Sequence, residues 1–158
     1  MANKRKRDPD YTLNIFHHYN EKTKRDVVVF LVQTTKIFVS FRYEILLDDE
    51  LVGNEINLRI TGLHIPELLM PQTGPAQGRC DYANLDGLYK LTVIKQDKTV
   101  NEFSVQISQA KIDIIHKPRS PFILVSSDPV SLSSLFLIYF LLTFYVSLLT
   151  FHLSNYVP

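Results

Sequence analysis

Residues 55–61 read EINLRIT, a stretch in which apolar and polar residues alternate with a period of two. In a β-strand successive side chains point to opposite faces, so this segment buries one face and exposes the other to water. Residues 102–108, EFSVQIS, repeat the pattern. Because a slip of one residue would turn every apolar side chain outward, the register of both strands is strongly specified.

The same alternation predicts further strands on either side of these two segments. They lie at residues 11–16, 27–33, 36–45, 88–95 and 111–116, and residues 122–125 can add an edge strand. The continuous apolar run VVVFLV at 27–32 predicts a central strand that is covered on both faces. The apolar residues occupy odd positions from Phe103 to Ile107 but even positions at Ile112 and Ile114. This change predicts a bulge or a bend between two strands at 109–110.

No long stripe at helical spacing occurs before residue 120, so the sequence predicts an all-β domain over residues 11–118. Short strands separated by polar turns favour an antiparallel β-sandwich of about seven to eight strands, with a small barrel as the alternative. Turns are expected at residues 20–24, 48–54 and 96–98.

Residues 66–79, PELLMPQTGPAQGR, contain three prolines and two glycines. Proline cannot donate to a β-ladder, so this stretch predicts a long loop rather than a central strand. Long loops in small domains are often functional. Leu68, Leu69 and Met70 are therefore candidate contacts for a protein partner, and the alternative is that they fold back and cap the core.

Residues 85–93, LDGLYKLTV, resemble the Gly-x-Tyr-x-Leu-x-Val pattern of immunoglobulin-like and bacterial immunoglobulin-like sandwiches. The resemblance implies a structural corner, in which a turn at Gly87 leads to Tyr89 and the tyrosine hydroxyl bonds to backbone just upstream. The chain has no Trp and only one cysteine, Cys80, which excludes an antibody-type domain. The resemblance implies a fold and no particular function.

The charged residues, 17 Lys and Arg and 16 Asp and Glu, all lie within residues 1–128. Residues 132–153, LSSLFLIYFLLTFYVSLLTFHL, contain no charge, no Gly and no Pro. A helix of this length spans about 33 Å, which matches a bilayer hydrocarbon core of roughly 30 Å. We therefore predict a transmembrane helix at 131–153, between a Pro- and Ser-rich linker at 119–130 and a short tail at 154–158.

Basic residues precede this apolar segment and no charge follows it: Lys111, Lys117 and Arg119 lie on its N-terminal side. By the positive-inside rule, we expect a single-pass, tail-anchored membrane protein with a cytoplasmic β-domain. Two alternatives remain. In the first, the domain is a cytoplasmic ligand-binding or enzymatic domain, and its apolar C-terminus packs on its own sheet or mediates oligomerisation. In the second, the apolar segment results from a misread reading frame.

Residues 1–10, MANKRKRDPD, predict a basic disordered terminus. The run from Lys4 to Arg7 could also serve as a nucleic-acid patch. The net charge is only +1 and no basic stripe continues into the strands, so nucleic acid is not the expected partner.

The titratable residues do not form a catalytic or metal-binding motif. His17 and His18 are adjacent, so on a strand they point to opposite faces and cannot chelate one metal together. The acidic run from Asp48 to Glu50 is expected in a solvated turn, and Cys80 lacks a local histidine. We therefore expect no cofactor and no catalytic residue, and predict a membrane-anchored, non-catalytic interaction domain.

Overall fold

The computed structural model describes residues 8–39, 43–65 and 73–127, which contain nine β-strands and no helix. The strands are β1 (Tyr11–Asn20), β2 (Arg25–Phe38), β3 (Glu44–Val52), β4 (Glu55–His64), β5 (Gly74–Ala83), β6 (Gly87–Ile94), β7 (Val100–Ile107), β8 (Ile112–His116) and β9 (Ile123–Ser126). The predicted all-β class is confirmed, with one or two more strands than the sequence predicts.

All nine strands belong to one barrel-like sheet with the order β8-β7-β6-β4-β3-β5-β2-β1-β9. Five neighbouring pairs are antiparallel, and three pairs, β1 with β9, β3 with β5 and β4 with β6, are parallel. The pairing is therefore mixed rather than purely antiparallel. Strands joined by a tight hairpin must run antiparallel, whereas these three parallel pairs are joined by longer connections.

The sheet divides into two halves at the narrow junction between β3 and β5. We call β8, β7, β6, β4 and β3 the front half, and β5, β2, β1 and β9 the back half. Among the residues that the structure describes, the halves pair at Glu44 and Gln77, next to a hydrogen bond from the Gln77 amide to the Tyr43 carbonyl. A Cβ at Gly78 would lie 2.6 Å from the Ile45 carbonyl oxygen, so this close approach requires glycine.

One apolar core fills the interior between the two halves. Its fully buried large side chains come from six strands, and include Leu13, Ile15, Phe30, Val32, Ile56, Leu58, Ile60, Leu91, Phe103, Ile107 and Ile123. The alternation in residues 55–61 and 102–108 is confirmed by this burial. Burying such a side chain contributes about 1.5–3 kcal/mol, so the interior supplies the main driving force for folding.

The prediction of a central strand at residues 27–32 is confirmed. β2 lies between β1 and β5, and four consecutive residues, from Val27 to Phe30, are buried. Because neighbours along a strand point to opposite faces, this run is shielded on both sides of the sheet.

The predicted loop at residues 66–79 is wrong from residue 74 onward, where β5 begins. Its inward residues, Ala76, Gly78 and Cys80, are small, so the strand has no strong hydrophobic signature. Pro75 lies where the β2–β5 pairing shifts register, between Gln33 and Ile37. Proline is tolerated at such an irregularity because no regular ladder donor is required there.

The turn predicted at 48–54 is confirmed at Gly53 and Asn54 and is wrong for 48–52, which belong to β3. Residues 36–45 are not one strand, because β2 ends at Phe38 and β3 begins at Glu44. The structure confirms the turns predicted at 20–24 and 96–98 and the bend predicted at 109–110.

Candidate functional site

Two adjoining pockets form a continuous cleft on the outer surface of β3, β4 and β6. Their volumes are about 330 and 490 Å³, and both are lined by Arg59 and Ile94. The first is completed by Asp48, Asp49, Glu50 and Asn57, and the second by Ile60, Thr61, Lys95, Gln96 and Lys98. We call this feature the outer cleft.

The outer cleft is acidic at one end and basic at the other. The carboxylate of Asp48 lies 3.6 Å from the guanidinium of Arg59, and both side chains are more than half exposed. An ion pair this exposed contributes at most about 1 kcal/mol, so both groups can exchange it for charges on a partner. Lys95 and Lys98 add positive charge at the other end.

Lys95 also fixes the end of the cleft to the N-terminal segment. Its Nζ donates a 2.6 Å hydrogen bond to Oδ2 of Asp10 and lies 3.7 Å from Oδ2 of Asp97. The hydrogen bond to Asp10 raises the pKa of Lys95, so the ammonium stays charged at neutral pH. The contact joins the front half to the start of β1 in the back half.

The second polar cluster lies at the junction of β3 and β5. The Tyr82 hydroxyl donates a 2.6 Å hydrogen bond to Oδ2 of Asp49, and Cys80 lies nearby. Burial and then Asp49 raise the pKa of the Cys80 thiol to about 12. The thiolate is the nucleophilic form, so Cys80 is unreactive at neutral pH. Arg79 does not activate it, because its guanidinium binds Asp81 instead.

The residues of the predicted tyrosine corner lie close together. Gly87 has a φ of +117°, a conformation that favours glycine, and the Tyr89 side chain is 9% exposed. The Tyr89 hydroxyl lies 3.5 Å from the carbonyl oxygen of Asp86. This distance is long for an O–H···O bond, so the contact fixes the corner only weakly.

His17 contacts the backbone at the end of β7. Its Nε2 lies 2.8 Å from the carbonyl oxygen of Ser108, which links β1 to the end of β7. Within the described ranges, no group of three or more His, Cys, Asp or Glu residues is placed to hold a metal ion.

Two buried asparagines, which sequence reasoning missed, hold the last strand in place. Asn101 Oδ1 accepts a 2.8 Å hydrogen bond from the Phe122 amide, just before β9. Asn14 Oδ1 accepts a 3.2 Å hydrogen bond from the Ser126 hydroxyl at the end of β9. Each asparagine lies in a segment that reads as an ordinary strand. The signal at Asn14 is an amide between the apolar Leu13 and Ile15, whereas Asn101, between Val100 and Glu102, gives none.

The other predicted functional segments lie outside the described residues. These are the basic run from Lys4 to Arg7, the loop residues Leu68, Leu69 and Met70, and the apolar segment at 131–153. In the part of the chain that is described, no helix is long and apolar enough to cross a membrane.

Comparison of the chain with protein-family models, with curated proteins and with solved structures finds no match in any of the three. The nine strands define an all-β domain. Its function has to be inferred from the outer cleft and the other residues of the chain itself.

Proposed function

We propose that the chain is a membrane-anchored, non-catalytic interaction domain, held at the cytoplasmic face of a membrane by residues 131–153. The observation that carries this proposal is the uncharged, 22-residue apolar segment at 132–153, which follows a stretch, residues 1–128, that contains every charged residue of the chain. Transfer of such a segment into hydrocarbon is favourable, and a helix satisfies all of its own backbone groups there.

We further propose that the two halves act as the layers of an immunoglobulin-like β-sandwich. Support comes from the single core shared by both halves, from the narrow junction at Glu44 and Gln77, and from the buried ring of Tyr89 after Gly87. Sandwich domains commonly present their loops and outer faces to partners while the core stays constant.

The outer cleft is the proposed binding surface. Asp48 and Glu50 at one end and Lys98 at the other suit an extended protein segment that carries charges of both signs, whereas Lys95 is already bound to Asp10. Ile94, between the two ends, offers an apolar contact. β4 ends at His64, at the same end of the sheet as Lys95. We therefore propose that the candidate contacts Leu68, Leu69 and Met70, which follow β4 in the sequence, meet the same partner as the cleft.

Membrane fractionation of the full chain tests the anchor. We expect the chain to stay in the membrane pellet after carbonate washing. Leu142→Arg places a charge at the centre of the span and costs about 2.5–3.5 kcal/mol of insertion energy, so it should shift the chain to the soluble fraction. The control, Ser131→Lys, adds the same charge on the cytoplasmic flank and should leave the chain in the pellet. Release of the unaltered chain would refute the anchor.

A further inference from the structure

The back half carries an apolar strip on the face that points away from the core. Val28, Phe30 and Val32 belong to the core, so the alternate residues of β2 point outward: Val27, Val29 and Leu31. Phe16 pairs with Val29 across the β1–β2 ladder and points the same way. We call Phe16, Val27, Val29 and Leu31 the outer strip.

Water is excluded from the middle of the outer strip. Val29 is 0% exposed, although the sheet's own core lies on the other face. Leu88, which points outward from β6 in the front half, is 52% exposed. An outward apolar surface of this kind on a soluble domain is typical of a site that is covered by another segment or molecule.

The chain leaves the sheet next to this strip. β9 runs parallel to β1 and pairs with Tyr11 to Asn14, so its direction leads toward Phe16. Ser126 is held on the same outer face by Asn14. From there to residue 132 the chain reaches at most about 20 Å, whereas two strand spacings are only about 10 Å. The apolar segment therefore begins within reach of the outer strip.

The outer strip is shorter than the segment. A helix of 22 residues at 132–153 would be about 33 Å long, whereas the strip, from Val27 to Leu31, spans about 13 Å of β2, so it can contact about two and a half turns of such a helix. The segment carries no charge. On β5, Arg79 and Asp81 lie opposite Leu31 and Val29 on the same face, and their charges are already paired with each other at 2.6 Å.

We propose that the outer strip is the docking site for the chain's own segment 132–153 when no membrane is present. This rests on the proposed function, because the same segment then inserts into the bilayer and uncovers the strip. The segment is apolar on all sides, so the strip buries only one side of it while a bilayer buries all of them. Membrane insertion is thus favoured over docking, and the outer strip becomes accessible only on the anchored protein.

Thiol labelling of the full chain, made by cell-free synthesis without membranes, tests docking directly. Val29→Cys places a thiol in the strip, and Leu88→Cys places a control thiol on the front half. The native Cys80 stays silent because its thiol is buried and protonated. We expect maleimide to modify Val29→Cys at least tenfold more slowly than Leu88→Cys, and vesicles of phosphatidylcholine and phosphatidylserine to remove most of that difference.

A second variant separates docking from simple shielding by neighbouring side chains. Leu135→Glu, Phe140→Glu and Leu148→Glu together place charges around the segment. In this background Val29→Cys should react rapidly without vesicles. Slow labelling in every condition, or rapid labelling in every condition, would overturn the proposal.

Vesicle flotation distinguishes the two proposals. A chain that floats with vesicles while its Val29→Cys labelling never changes has an anchor and no docking site. A chain that fails to float, yet gains rapid labelling through the three glutamates, has a docked segment and no anchor.

Discussion

The hydroxyl of Tyr82 and the carboxylate of Asp49 are joined by a 2.6 Å hydrogen bond across the junction between β5 and β3. In the described part of the chain, these strands pair regularly at Glu44 and Gln77 alone, so this side-chain bond holds together the part of the junction that has no ladder. It also lies where the two halves of the sheet meet, and its loss should loosen their packing.

Replacement of Tyr82 by Phe tests the contribution of this bond. We expect the free energy of unfolding to fall by about 1 kcal/mol, the usual net value of a hydrogen bond, because Asp49 can regain water. Tyr19→Phe is the control, since Tyr19 is exposed and should change stability by less than about 0.5 kcal/mol. Urea unfolding measures both, and equal values would contradict the assigned role.

The free energy of unfolding should depend on pH in the alkaline range because of Cys80. Its pKa is raised from 9.0 to about 12 in the folded chain, so the folded state retains a proton that the unfolded state loses above pH 9. Stability is therefore fully present below pH 9 and declines as pH rises toward 12, by up to about 1.4 kcal/mol per pH unit.

The pH effect is measured as the difference between the parent chain and Cys80→Ala. Urea unfolding at pH 8, 9 and 10 should show a decline in the parent that is shallower in the variant. The raised pKa of Tyr82 lowers the free energy of unfolding further above pH 10, in the parent chain and in Cys80→Ala alike. Parallel curves between pH 8 and 10 would show that Cys80 does not titrate as the structure implies.

Gly78 is required by the close approach of β5 to β3. In Gly78→Ala the new Cβ would lie 2.6 Å from the Ile45 carbonyl oxygen and 2.9 Å from the Leu47 side chain. We expect a loss of about 1–3 kcal/mol, since the backbone must shift. Gly74→Ala, at the start of the same strand, meets no atom within 4 Å and should change stability little. Similar thermal unfolding of the two variants would argue against the close approach.

Sequence periodicity predicted the strands whose inward residues are large, such as Ile56 and Phe103, because burial of those side chains dictates the register. It failed for β5, where Ala76 and Gly78 point inward. A small residue is required at Gly78 because β3 approaches closely. That constraint comes from a strand far away in the sequence, so the local pattern does not show it. The strand order and the three parallel pairs are likewise set by crossovers that leave no periodic signal.

The outer cleft could not be predicted from sequence for a similar reason. Asp48 and Arg59 are paired by the β3–β4 ladder, but Ile94 and Lys95 join them only through the parallel pairing of β4 with β6. An acidic run such as Asp48 to Glu50 resembles a solvated turn until the strand that carries it is known.

The ring of Tyr89 should matter more than its hydroxyl. Tyr89→Ala leaves a cavity in the core and should cost about 3–5 kcal/mol. Tyr89→Phe removes only the 3.5 Å contact with Asp86 and should cost no more than about 0.5 kcal/mol. Urea unfolding separates these values. A Tyr89→Ala variant as stable as the parent would remove the corner as a support for the immunoglobulin-like proposal.

Arg59 should be needed for binding and dispensable for folding. Arg59→Glu reverses a charge that lines both pockets of the outer cleft, while the exposed pair with Asp48 contributes at most about 1 kcal/mol to stability. We expect proteins that crosslink to the membrane-bound parent chain to be lost from the variant, with thermal unfolding shifted by only a few degrees. Lys22→Glu is the matched control, because Lys22 lies in the β1–β2 turn, away from the cleft, and carries the same charge. If Lys22→Glu abolished the same crosslinks, the effect would be one of net charge, and the outer cleft would not be the binding surface.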